Sequence, residues 1–60
     1  MNWIIHNTTR KDYLAFSGGG GEWWIHKKNF AHRFDTKEEA DDWLLDHRYS
    51  RKTNKVEEVK

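Results

Sequence analysis

The sequence predicts an α+β domain: a three-stranded antiparallel sheet, with a candidate fourth strand, packed against one C-terminal amphipathic helix. Three observations carry this. Two segments near the N-terminus alternate in the period of a β-strand, and a Trp-rich segment repeats that period after a run of glycines. Beyond it stands a helix-capping pattern, followed by an apolar stripe at helical spacing.

Residues 2–7 put Trp3 and Ile5 on one side and Asn2, Ile4 and His6 on the other. Residues 12–17 alternate again, with Tyr13 and Ala15 opposed to Leu14 and Phe16. The polar stretch between them suits a turn, so the two strands form a hairpin. Gly18, Gly19, Gly20 and Gly21 then read as a flexible hairpin tip, since glycine accepts any backbone angle at an entropic cost. Residues 22–28 form the third strand, with Trp23, Ile25 and Lys27 on one face and Trp24, His26 and Lys28 on the other. A Trp on each face is more than a sheet with one solvated face requires.

The helix is expected over residues 37–48. Thr36 and Glu39 match the capping box, in which the Thr hydroxyl accepts from the third helical amide and the Glu reaches back. Asp35 and Glu38 place negative charge at the positive end of the helix dipole, and Arg48 suits the other end. Ala40, Trp43, Leu44 and His47 share one stripe, whereas Asp41, Asp42 and Asp46 point elsewhere. Residues 55–59 are the candidate fourth strand, although Val56 and Val59, three apart, do not share a strand face.

At 60 residues the chain is long enough for one domain, residues 1–60, with a small core. It has no cysteine, so neither a disulfide nor a thiolate metal site supports it. Aromatic mass is the expected substitute: four Trp, three Phe and two Tyr. No apolar run approaches a membrane span and no signal-peptide core is present, so a cytoplasmic protein with no membrane partner is expected. The net charge is only +1, but it is segregated. Acids crowd residues 35–46, and Arg48, Arg51, Lys52 and Lys55 follow without one.

Nothing in the sequence points to catalysis. His6, His26, His32 and His47 show no metal-ligand spacing and read as surface or edge residues, and no cofactor or metal is expected. The adjacent acids Glu38–Glu39 and Asp41–Asp42 diverge on a helix. The glycine run lacks the phosphate-loop pattern. Trp23, Trp24, Lys27 and Lys28 remain, with aromatics interleaved with bases. Such a face serves either as a protein hot spot or as a stacking platform for nucleic acid.

Two resemblances cover these residues. The succession Tyr13-Leu14-Ala15, a Trp-containing strand, Ala31 and Phe34, Asp35 to Ala40 and a closing Val-Glu-Glu-Val resembles small uncharacterised phage and prophage proteins of β-β-β-α type. That resemblance implies an accessory protein that binds and disables a host factor. Residues 23–48 also resemble the three-stranded-sheet domains of integrase arm-binding regions and plant AP2 proteins. Those read DNA with the sheet face opposite the helix, which would make Arg10, Lys27, Lys28 and exposed sheet aromatics the contacts.

The expected function is therefore a non-enzymatic protein-binding module, a phage-encoded modulator or inhibitor of a host protein. The alternative is a small DNA- or RNA-binding domain that uses the sheet and its basic margins. A homodimer is a further option, because exposed aromatics on a small sheet favour pairing. The expected contact residues are Trp23, Trp24, Lys27, Lys28, Gly19, Gly20, Glu38, Asp41 and Asp42.

Overall fold

Ile4 and Ile5 are adjacent in the chain and both fully buried, so the strand that holds them is covered on both faces. The computed structural model, which describes residues 2–16 and 21–59, shows how. Strands β1 (Asn2–Asn7), β2 (Asp12–Phe16) and β3 (Glu22–Ile25) precede a 3₁₀ turn (Lys28–Phe30), helix α1 (Lys37–Asp46) and strand β4 (Asn54–Val59). The four strands form one antiparallel sheet in the order β3-β2-β1-β4. The α+β architecture thus stands, with a fourth strand following the helix, so the helix is not the C-terminal element.

Register sorts the side chains. Pairing of His6 with Tyr13, Leu14 with Trp24 and Ile5 with Val56 puts Trp3, Ile5, Leu14, Phe16, Trp24 and Val56 on one face. Against it α1 lays Ala40 and Leu44, and with Ile5, Leu14 and Phe34 these make the core. Trp3, Trp24, Trp43, Tyr49 and Val56 pack around it, half-buried. Each fully buried aliphatic side chain stabilises the fold by ~1.5–3 kcal/mol.

The other face is covered by the connector after β3. Its Lys28 Nζ lies 3.8 Å from Glu57 Oε1, and its Ala31 is buried. Ile4 is the cross-strand neighbour of Glu57 and is shielded there.

β1 and β2 are paired only at His6–Tyr13 and Asn7–Asp12, and beyond that point they part. The connector fills the split. His32 N–H donates to the Leu14 carbonyl at 2.9 Å, and Phe34 exchanges two backbone bonds with Trp3, at 2.7 and 2.9 Å. Residues 31–34 therefore act as an inserted strand fragment, and they lead the chain from one face to the other.

Thr36 caps α1 as expected: its Oγ1 accepts from Glu39 N–H at 3.1 Å. The C-terminus departs from expectation. The helix ends at Asp46 rather than at residue 48, and Arg48 takes a left-handed conformation, φ 59°. Arg48 N–H donates to Leu45 O and Tyr49 N–H to Leu44 O, which is a Schellman motif. Tyr49 then stacks flat on Trp43, with ring centroids 5.4 Å apart. The helix stops here because that stacking needs the chain to reverse. Glycine is the residue best suited to Arg48's backbone, so Arg48→Gly is expected to stabilise the protein by about 0.5–1 kcal/mol. A raised urea midpoint at an unchanged slope would show it.

β3 also ends early, at Ile25 rather than residue 28. His26 bends, and Lys28–Phe30 wind into the 3₁₀ turn. The connector must leave the edge of the sheet in order to cross its second face, and this ends the strand.

The valine spacing also finds its explanation. Val56 opposes Ile5 on the helix face, whereas Val59 opposes Asn2 on the other. Both faces of β4 are partly covered, so the strand needs no single apolar side.

Candidate functional site: the β3 margin

Trp23 and Trp24 are consecutive in a strand, so they face opposite ways. Trp24 points to the helix side, is half-buried, and meets the Tyr49 ring edge-on at 5.6 Å. Arg10 lies over the Trp24 ring, guanidinium carbon 4.9 Å from the centroid, and is itself held by Asp12 through an Nε–Oδ2 bond of 3.0 Å. Trp24 is therefore a packed residue at the border of the core. Trp23 is on the second face and 60% exposed.

Phe30 adds a second exposed ring, 68% accessible, with Lys27 Nζ 6.0 Å from its centroid. The sequence reading missed Phe30. The available signal was an aromatic residue in a short polar connector, away from any apolar stripe.

The two lysines do not interleave with the tryptophans on the sheet. Both lie beyond the end of β3: Lys27 approaches Phe30, and Lys28 approaches Glu57. Gly19 and Gly20 lie outside the described residues. The helix acids are on the far layer. Glu38 and Asp42 are exposed, while Asp41 is half-buried, with Oδ1 3.7 Å from Arg51 Nη2. A surface pair of this kind contributes ~0–1 kcal/mol. The structure thus does not bring the predicted contact residues together: the acids lie on the helix and Trp23 on the opposite face of the sheet.

The margin has a second property. β3 is an edge strand. The Leu14 carbonyl accepts from His32, on the β1 side. In an antiparallel ladder, alternate residues direct their backbone groups to opposite sides. Trp24, the partner of Leu14, therefore directs its N–H and C=O outward, and so does Glu22. The Glu22 carboxylate is fixed by the Tyr49 hydroxyl, which donates to Oε2 at 2.6 Å. That bond, with burial and the carboxylate's charge, raises the Tyr49 pKa above the ordinary phenol value.

The histidines are dispersed. His6 stacks on Tyr13 at 4.5 Å, with Nδ1 2.7 Å from Glu57 Oε2. His32 is wedged edge-on between Phe16 and Phe34, and burial lowers its pKa. His47 stacks on Trp43, with Nδ1 2.9 Å from the Trp43 carbonyl. His26 Nδ1 is 3.2 Å from the Lys11 carbonyl. Among the described residues, no three His, Cys, Asp or Glu converge in a way that could hold a metal ion.

Two clefts, of about 440 and 310 Å³, open elsewhere. The first is lined by Lys28, Asn29, Arg33, Glu58 and Val59, the second by Lys37, Asp41, Arg51, Asn54, Lys55 and Val56. The first lining carries Lys28, Arg33 and Glu58 as its charged groups and the second Lys37, Asp41, Arg51 and Lys55, with no His, Ser or Cys in either.

Among the described residues no helix is long and apolar enough to cross a membrane. Comparison with protein-family models, curated proteins and solved structures gives no match.

Proposed function

We propose that the chain is a non-enzymatic protein-binding module and that the β3 margin is its contact surface. The observation that carries this is Trp23: a large ring, 60% exposed, on a strand with an outward-directed backbone edge. Trp is strongly enriched among residues that dominate protein interfaces. An edge strand supplies backbone bonds to an added strand, and the side chains beside it supply selectivity. Phe30 extends the apolar surface beyond the strand.

In keeping with the resemblance to phage accessory proteins, the proposed partner is a host protein, met in the bacterial cytoplasm. A nucleic-acid role finds less support, because Arg10 pairs with Asp12 and Lys28 Nζ lies 3.8 Å from Glu57 Oε1.

The test is capture from bacterial lysate with the wild-type protein and with Trp23→Ser. The wild type is expected to retain one protein in stoichiometric amount. Loss of a hot-spot Trp worth ~2 kcal/mol or more should weaken that capture roughly 30-fold. Equal capture by both proteins would remove the margin from consideration. Retention of nucleic acid that falls steeply with salt would favour the alternative.

A further inference from the structure

β3 carries its charges asymmetrically. Glu22 stands at its start, and His26 and Lys27 follow its far end. An antiparallel neighbour of the same sequence would bring each acidic start against the other's basic end. A parallel neighbour would set like against like. The strand is thus self-complementary in one direction only.

The outward backbone groups specify the register. Trp24 and Glu22 present theirs to the free side, as the Leu14–His32 bond requires. Outward-directed residues pair with one another across an antiparallel edge. We propose that the resting partner of this edge is a second copy of the chain, joined by a two-fold axis at Trp24. There the two Trp24 residues exchange their N–H and C=O groups. Glu22 then opposes His26 of the second copy, and Trp23 opposes its Ile25. The pairing removes both exposed Trp23 rings from water and leaves no open edge at β3. The outer edge of β4 remains, so the pairing closes as a dimer and continues no further through β3.

This inference rests on the β3 margin being the contact surface, as proposed above. The interface is small, below ~1,200 Å² in total, so dissociation is expected between roughly 1 and 100 μM. A host strand of higher affinity would displace the second copy from the same edge.

Sedimentation over that concentration range tests it, with far-UV circular dichroism to confirm that each variant is folded. The wild type is expected to pass from monomer to dimer, and Trp23→Lys to stay monomeric. Glu22→His should weaken the dimer at least about fivefold, and Glu22→His with His26→Glu should restore it, if charge sets the register. In the unmodified protein, the Trp24 amide should exchange more slowly as concentration rises. A wild type that stays monomeric throughout, or a Trp23→Lys variant that dimerises equally well, would overturn the proposal. Failure of the double exchange to restore pairing would overturn the register. If the wild type is monomeric while Trp23→Ser still loses the host protein, self-pairing fails and the margin stands. If capture is also unchanged, both fail.

Discussion

Replacing Phe34 with alanine is expected to unfold most of the protein at 25 °C. The Phe34 backbone closes the split between β1 and β2 through two bonds to Trp3. Its ring is only 8% exposed and joins Ile5, Leu14, Ala40 and Leu44 in the core. His32 meets it edge-on at 4.7 Å. Truncating a buried Phe costs ~3–5 kcal/mol, partly as lost transfer energy and partly as a cavity. A core in a chain this short rarely supplies more than ~3–5 kcal/mol in total. The two quantities are comparable, so little folded population should remain. Phe34→Leu, which keeps most of the volume, should lose less than ~1.5 kcal/mol and remain folded. Urea titration followed by Trp fluorescence checks both. A wild-type midpoint for Phe34→Ala would show that the ring does not fill the split.

Asn54→Ala is expected to cost about 2–3 kcal/mol for a different reason. Asn54 is 3% exposed and Asn7 7%, facing each other across β1 and β4. Asn7 Nδ2 donates to Asn54 Oδ1 at 2.9 Å. Asn54 Nδ2 donates in turn to Ser50 O at 2.9 Å and to Thr53 Oγ1 at 3.3 Å, and Asn7 Oδ1 accepts from Arg10 N–H at 2.8 Å. This network ties the β1–β2 turn to the turn that enters β4. Removing Asn54 leaves the buried Asn7 amide without its acceptor, and an unsatisfied buried donor is costly. Asn7→Ala with Asn54→Ala should therefore cost less than the sum of the single changes. A double-mutant cycle in urea measures the difference, and strict additivity would show that the two amides act independently.

Both predictions concern features that periodicity does not reveal. A strand inserted by tertiary contact needs no alternation of its own, so no periodicity around Phe34 marks it as part of the sheet. Nothing in the neighbours of Asn7 signals that Asn54 meets it from far along the chain. At the candidate site, Trp23 and Trp24 were legible as unusual, since consecutive residues of a strand must diverge. Which of them stays exposed depends on the helix lying over Trp24's face. Lys27 and Lys28 were assigned to the sheet because the alternation continues through them. The strand stops earlier because the connector must turn to cover Ile4. Phe30 was passed over because exposure is decided by what fails to cover a residue.

The elements whose signals are local are legible in the chain alone. Alternation defined β1 and β2, Thr36 set the start of α1, and Ala40 and Leu44 marked the face it buries. These follow from backbone geometry and nearby hydrogen bonds, which a few consecutive residues specify. The sheet order, the split filled by residues 31–34, the pairing of β4 with β1, and the exposure of Trp23 arise only on assembly. Each of these depends on distant segments covering or leaving open a given face, and burial is a property of the assembled surface rather than of any one stretch of chain.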